Sequence, residues 1–224
     1  YNMISYLVDD DNRDTSIPGG SIIAGIGFVS GVRCLVFVDD SGINAGALTA
    51  KSIDKALGCL DISLKQKLPF VHLVESAGIN LLNYTVEFWA NFGAVFYGKA
   101  RLSAAGIPTI AVLHGMSTAG GAYHTGMSDY VVGVKNNGMA ALAGSALLKA
   151  ATGEDSSNEE LGGAEMHSSI SGVSDYLAED EFDAFRIARE IIKYLPKQNP
   201  SLIPKNILSP RYSIDELKGM TEFG

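Results

Sequence analysis

Thr109-Ile110-Ala111-Val112-Leu113-His114-Gly115-Met116-Ser117-Thr118-Ala119-Gly120-Gly121-Ala122 reads as a strand that runs into a turn of small residues, from which a helix starts. Thr109–His114 has no polar face, which is the pattern of a strand covered on both sides in a parallel sheet. An earlier stretch repeats the plan: the apolar run Phe70–Val74 stops at Glu75-Ser76-Ala77-Gly78. Between them, Thr85–Ala105 carries Phe88, Trp89, Phe92 and Phe96 on one helical face and is stopped by Gly106-Ile107-Pro108. Strand, helix and strand in this order predict an α/β fold in which crossovers join parallel strands.

Moving outward, Ser21–Phe28 and Val32–Asp39 read as strands joined at Ser30-Gly31, where glycine accepts the positive φ of a hairpin turn. Thr49–Lys65 places Ile53, Ala56, Leu57, Leu60 and Leu64 at helical spacing. Asp129–Val134 is a further strand, ended by the turn Asn136-Asn137-Gly138. Asp180–Tyr194 is a helix with acidic residues early and Arg186, Arg189 and Lys193 late, as the helix dipole prefers. Beyond it come Pro196, Pro200, Pro204 and Pro210. The expected division is therefore a folded domain over 1–195 and a proline-rich arm over 196–224.

Composition narrows the function classes. The 224 residues are 46% hydrophobic and 19% charged, which fits one large globular domain. With 17 Lys and Arg against 25 Asp and Glu, the net charge of −8 argues against a broad nucleic-acid footprint. No uninterrupted apolar run reaches the roughly 18 residues of a spanning helix. Tyr1–Asp10 lacks the basic leader of a signal peptide, so the expected location is cytoplasmic, with the mitochondrial matrix as the alternative. Cys34 and Cys59 are expected as reduced core residues. The four histidines and two cysteines have no metal-ligand spacing, and no metal is expected.

In open α/β sheets ligands bind beyond the carboxyl ends of the strands. Two junctions of tiny residues, Ser76-Ala77-Gly78 and Thr118-Ala119-Gly120-Gly121, are expected to face one crevice there. Small residues let backbone N–H groups approach a ligand, and two converging N–H groups stabilise a developing oxyanion. The same glycines would also serve tight turns and close helix–sheet packing, and spacing alone fits both readings. A nucleophile elbow is missing, since Gly115-Met116-Ser117-Thr118-Ala119 lacks its final glycine, and Gly42–Gly46 lacks the Lys-Ser/Thr ending of a phosphate loop.

Longer blocks carry a resemblance. Phe96-Tyr97-Gly98-Lys99-Ala100-Arg101-Leu102-Ser103-Ala104-Ala105-Gly106-Ile107-Pro108, then Ile110–Val112 and Ser117–Tyr123, resemble the carboxyltransferase subunit of biotin-dependent acyl-CoA carboxylases, in particular the methylcrotonyl-CoA and propionyl-CoA types. Lys149–Glu154, Glu159–Ala164, His167 and Ser171–Asp175 continue it in order. Pro210-Arg211-Tyr212 and Asp215-Glu216-Leu217 resemble the segment where the family's first domain passes to its second.

The resemblance implies a crotonase-like fold, a ββα superhelix, of which this chain is the first domain, either as a fragment or as one part of a split enzyme. It implies an acyl-CoA substrate and carboxybiotin on a partner carrier chain with its biotin carboxylase. It also implies a second carboxyltransferase domain and a homo-oligomer. Carried over residue by residue, the backbone N–H groups of Ala77 and Gly120 would bind the thioester enolate, with Ser76, Gly78, Ala119 and Gly121 shaping the approach. The chain departs from the family pattern at Ala77, where relatives often have glycine, and at His124, where a small or apolar residue is expected. His124 is expected to be solvated or satisfied in the core rather than catalytic. For His167 a structural hydrogen bond and an active-site role stay open. Lys51, Lys55, Lys99, Arg101 and Lys149 are candidates for the CoA phosphates, and Tyr84, Trp89, Phe92 and Tyr123 for the acyl chain. The alternatives are a biotin-dependent decarboxylase subunit and a non-catalytic scaffold of the same fold. A hydratase is disfavoured, because Tyr123 and His124 stand where acidic groups would be needed.

Overall fold

In the computed structural model, which describes residues 20–79, 85–195, 211 and 213, the chain opens with a hairpin. Strands β1 (Ile22–Val29) and β2 (Val32–Asp39) pair antiparallel around Ser30 and Gly31. These two residues have φ values of 50° and 80°, the two positive angles that a two-residue hairpin matching the strand twist requires. From β2 onward the main sheet is parallel: β2, β3 (Phe70–Val74), β4 (Thr109–Leu113), β6 (Tyr130–Val134) and β8 (Tyr176–Ala178) lie side by side in that order. A second, two-stranded sheet joins β5 (Met116–Thr118) to β7 (Met139–Ala141) in parallel.

Caps set the helix boundaries. Thr49 accepts the amide of Ser52 at the start of α1 (Ala50–Gln66), and Thr85 accepts that of Phe88 at the start of α2 (Val86–Ala104). Between β5 and β6 lies α3 (Gly120–Gly126); α4 (Ser145–Thr152), α5 (Asn158–Gly162) and α6 (Ala164–Met166) follow β7. A single π-type turn over His167–Ser171 leads to β8, and α7 (Glu181–Tyr194) begins at the Asp180 cap.

Side-chain alternation along the strands divides the core into two layers. Leu35, Phe37 and Phe70 pack with Ile53, Leu60, Phe92 and Leu102 beneath α1 and α2, whereas Cys34, Val71, Ile110, Val112 and Val132 pack with Ala184, Ala188 and Ile192 of α7. Strand β4 is buried along its whole length, as expected from its unbroken apolar run. Cys59 belongs to the first layer and Cys34 to the second, and both are free thiols. Burial pushes the Cys34 thiol up to about 11 and that of Cys59 up to about 12. The expected arm over 196–224 lies outside the described residues, apart from residues 211 and 213. No helix among the described residues is long and apolar enough to cross a membrane.

Candidate active site

The two small-residue junctions meet, by a route that differs from the expected one. The second junction does not leave a strand of the main sheet: after β4 the chain turns at Gly115 and forms β5, which pairs with β7. Backbone bonds then tie β5 to the end of β3, with Ser76 N donating to Met116 O (3.1 Å) and Thr118 N donating to Ser76 O (2.9 Å). Glycine makes this approach possible. Gly78 has a φ of 85°, and a Cβ there would lie 2.9 Å from Thr118 O; a Cβ on Gly121 would lie 3.0 Å from Ser76 O.

Both junctions line a cavity of about 760 Å³. Ala77 and Ile79 form one wall, Thr118, Ala119 and Gly120 another, and Trp89, Phe92, Phe96, Tyr123, Met127, Leu142 and Leu147 give an apolar lining. Tyr123, Leu142 and Leu147 are exposed apolar residues at its rim. Of the expected acyl-chain residues, Trp89, Phe92 and Tyr123 line this cavity, and Tyr84 lies outside the described residues.

The donors are unequal. Ala77 N donates to Ala45 O at 3.0 Å and Gly78 N to Ser76 Oγ at 3.1 Å, so the first junction spends its amides on its own chain. This corrects the expectation that Ala77 would offer its N–H to a ligand: the turn Asn44–Gly46, with Ala45 at a φ of 53°, supplies the competing carbonyl. At the second junction Ala119 N is bound to Ala141 O, but α3 starts without a side-chain cap. The amides of Gly120, Gly121 and Ala122 have no hydrogen-bond partner among the described residues. Such first-turn N–H groups carry the positive end of the helix dipole. Ala119, at φ 49° and ψ −115°, holds a conformation that L-residues rarely adopt, immediately before these amides.

The histidines have distinct environments. His167 has both ring nitrogens engaged, its Nδ1 against Ser171 Oγ and its Nε2 against Ala140 O, both at 2.7 Å. His72 pairs through Nε2 with Asp39 Oδ2 at 3.1 Å in the core. His124 is neither solvated nor satisfied: it is buried, and its Nδ1 lacks a partner. Desolvation by burial holds the imidazole well below its ordinary pKa, and the neighbouring Lys99 and His72 push the same way. Sequence reasoning missed this environment, since nothing in the spacing of His72, Lys99 and His124 signals that three elements bring them together.

The phosphate candidates also divide. Lys55 is fully buried and donates to Ile22 O at 2.7 Å, and Lys99 is buried beside α3, so neither faces a ligand at the surface. Lys149 is exposed and ion-paired with Asp155 at 2.6 Å. Arg101 is exposed and lies over the Tyr97 ring, while Lys51 is half-buried. Among the described residues no three His, Cys, Asp or Glu side chains converge as a metal-ligand set.

Comparison with known proteins places this site in a family. The chain is 45% identical over 204 residues to a probable biotin-dependent acyl-coenzyme A carboxylase beta2 subunit of Mycobacterium tuberculosis, covering 90% of this chain and 38% of that protein. It is 40% identical over 226 residues to the mitochondrial methylcrotonoyl-CoA carboxylase beta chain of Arabidopsis thaliana, covering 97% of this chain and again 38% of the relative. Its fold superposes on the beta subunit of P. aeruginosa geranyl-CoA carboxylase with a TM-score of 0.73 and 47% identity, covering 80% of this chain and 34% of that one. The chain thus spans little more than a third of these relatives' length, and the part it matches is the amino-terminal part. The carboxyl transferase domain profile matches residues 2–221, and the chain belongs to this family of crotonase-like carboxyltransferase domains.

Proposed function

We propose that this domain binds an acyl-CoA thioester and, with a second carboxyltransferase domain, carboxylates it at the carbon activated by the thioester. The observation that carries the reading is the Gly120 amide, without a hydrogen-bond partner among the described residues, at the wall of an apolar cavity. A thioester oxygen that gains negative charge as the neighbouring carbon loses its proton is stabilised by fixed N–H dipoles, which need no reorganisation during the reaction. Carboxybiotin, carried by a partner chain, supplies the carboxyl group and the base.

The chain's own part is binding, orientation and exclusion of water. Gly120 N is the proposed oxyanion donor, and Gly121, Ala119, Ser76 and Gly78 hold the two junctions against each other. The aromatic lining accepts the acyl chain, and the exposed rim residues Tyr123, Leu142 and Leu147 fit a surface that a second domain covers. Carboxylation tests the reading: this chain, assembled with a partner second domain and a biotinylated carrier, should incorporate labelled bicarbonate into an acyl-CoA in the presence of ATP and biotin carboxylase. Absence of labelled product with straight and branched acyl-CoA thioesters alike would overturn it.

One observation favours a second reading, the non-catalytic scaffold: the bond from Ala77 N to Ala45 O leaves the first junction without a donor aimed at the cavity. Calorimetry separates the two. Micromolar binding of an acyl-CoA that is lost in Gly120→Val supports the enzyme, and no binding by the folded chain supports the scaffold.

A further inference from the structure

A buried set of charged and titratable side chains lies directly behind the amide turn. Lys99, on α2, is 2% exposed. Its Nζ donates to His124 O at 2.5 Å and to Ser128 Oγ at 3.1 Å, and Ser128 Oγ donates to the same carbonyl at 2.8 Å. His124 sits in the last turn of α3, where carbonyls run out of partners within the helix. A seven-residue helix is only about 10 Å long, so the ammonium group at one end and the free amides at the other belong to one short rigid unit.

The same network reaches the first junction. Asp39 Oδ2 accepts from His72 Nε2 at 3.1 Å and from Glu75 N at 3.2 Å, which fixes the end of β3 from which Ser76 leaves. The rings of His72 and His124 are 5.5 Å apart, and Asp39, His72, Ser76, Lys99 and His124 border one small cavity of about 10 Å³. Both imidazoles are held below their ordinary pKa by burial, which leaves Lys99 as the group of this set that takes up positive charge as the pH falls to about 7.

We propose that Lys99 is a positioning residue for the amide turn: its ammonium group holds the carboxyl-terminal end of α3 and thereby fixes where the N–H groups of Gly120, Gly121 and Ala122 point. The inference rests on the function proposed above for that turn. The groups facing Lys99 are Asp39 from β2, His72 from β3, His124 from α3 and Asp129 just beyond α3. Burial pulls the Lys99 pKa down to about 7 against the opposing pull of Asp39 and Asp129. The clamp therefore changes charge near neutrality, and the uncharged amine keeps a hydrogen bond but loses its attraction to the helix dipole.

Amide hydrogen exchange over residues 118–126, read together with turnover in the assembled enzyme, tests this. In Lys99→Met exchange at the hydrogen-bonded amides of α3, from Tyr123 to Gly126, should rise at least tenfold while the β1–β2 hairpin is unchanged, and kcat should fall at least tenfold with the KM for acyl-CoA within threefold. Wild-type kcat should decline as pH rises through about 7, and Lys99→Arg, which keeps its charge, should lack that decline. Should Lys99→Met fail to fold, Ser128→Ala, which removes one of the two contacts, should still speed exchange two- to threefold. Wild-type exchange rates in these variants would overturn the positioning role. Wild-type turnover with an unresponsive Lys99→Met overturns this inference alone, whereas an inactive wild-type assembly overturns the functional reading beneath it.

Discussion

The junctions at Ser76–Gly78 and Thr118–Gly121 are built from the same kinds of residue and lie against each other, yet one is closed and the other open. At the first, the Met116 carbonyl accepts from Ser76 N, the Ala45 carbonyl of a preceding turn from Ala77 N and the Ser76 hydroxyl from Gly78 N, so each amide finds a partner. At the second, a helix begins at once, and a helix cannot satisfy its own first amides. The difference teaches that small residues grant access, whereas the element that follows decides whether donors are left over.

The largest expected effect comes from closing the open junction. A Cβ at Gly120 would overlap the Phe92 ring, so Gly120→Ala must displace either the aromatic side chain or the amide turn. Steady-state kinetics of the assembled enzyme should show kcat/KM falling about 10²- to 10³-fold, the range seen when an oxyanion donor is removed. An unchanged value would erase the contrast between the junctions.

Loosening the closed junction should act on stability instead. Gly46 has a φ of 70°, and a side chain there would run into the Glu75 carbonyl. Gly46→Ala should lower the unfolding free energy by about 2–3 kcal/mol in urea titrations.

The charge behind the open junction leaves a pH signature. Lys99 titrates near 7 in the folded chain and at its ordinary 10.5 when unfolded, so between these values the unfolded chain binds one more proton. Stability should therefore rise with pH across this window, by up to about 1.4 kcal/mol per pH unit, and the rise should be missing in Lys99→Met. The difference between the two proteins from pH 7 to 9 isolates the effect, because the buried thiols, with raised pKa values, lower stability only above about 9.

The smallest change is expected at Ala77. Its amide is already engaged, so Ala77→Gly should alter kcat less than about threefold and cost about 0.5–1 kcal/mol through added freedom of the unfolded chain. A hundredfold gain in activity would instead show that the Ala45 bond opens during turnover and that the methyl group had been limiting.

Much of this was legible in the sequence wherever a local signal was strong. Ser30-Gly31 marked the hairpin, Thr49 and Thr85 marked helix starts, and the unbroken apolar runs marked β3 and β4 as interior strands. The three-residue strands β5 and β7 were not legible, because a segment that short has no measurable periodicity, and their paired residues stand 23 apart in the sequence. The region after Met139 contains α4, α5 and the capping box of Ser157 with Glu160, whose Ser-x-x-Glu signal is present at those positions among helices too short to show a period of their own. At the site, the sequence placed Ala77 and Gly120 beside one cavity but could not show that Ala45 would take the Ala77 amide, since a backbone carbonyl carries no residue signature. The convergence of Asp39, His72, Lys99 and His124 was hidden for the same reason of distance along the chain.

The two thiols offer a use apart from catalysis. Cys59, on α1, faces the layer shared with α2, and Cys34, on β2, the layer under α7, so each sulfur is shielded by a different half of the interior. Alkylating reagents at mild pH will find them only when the covering layer parts. The rate at which each becomes labelled is thus a separate clock, reporting which side of the sheet comes undone first.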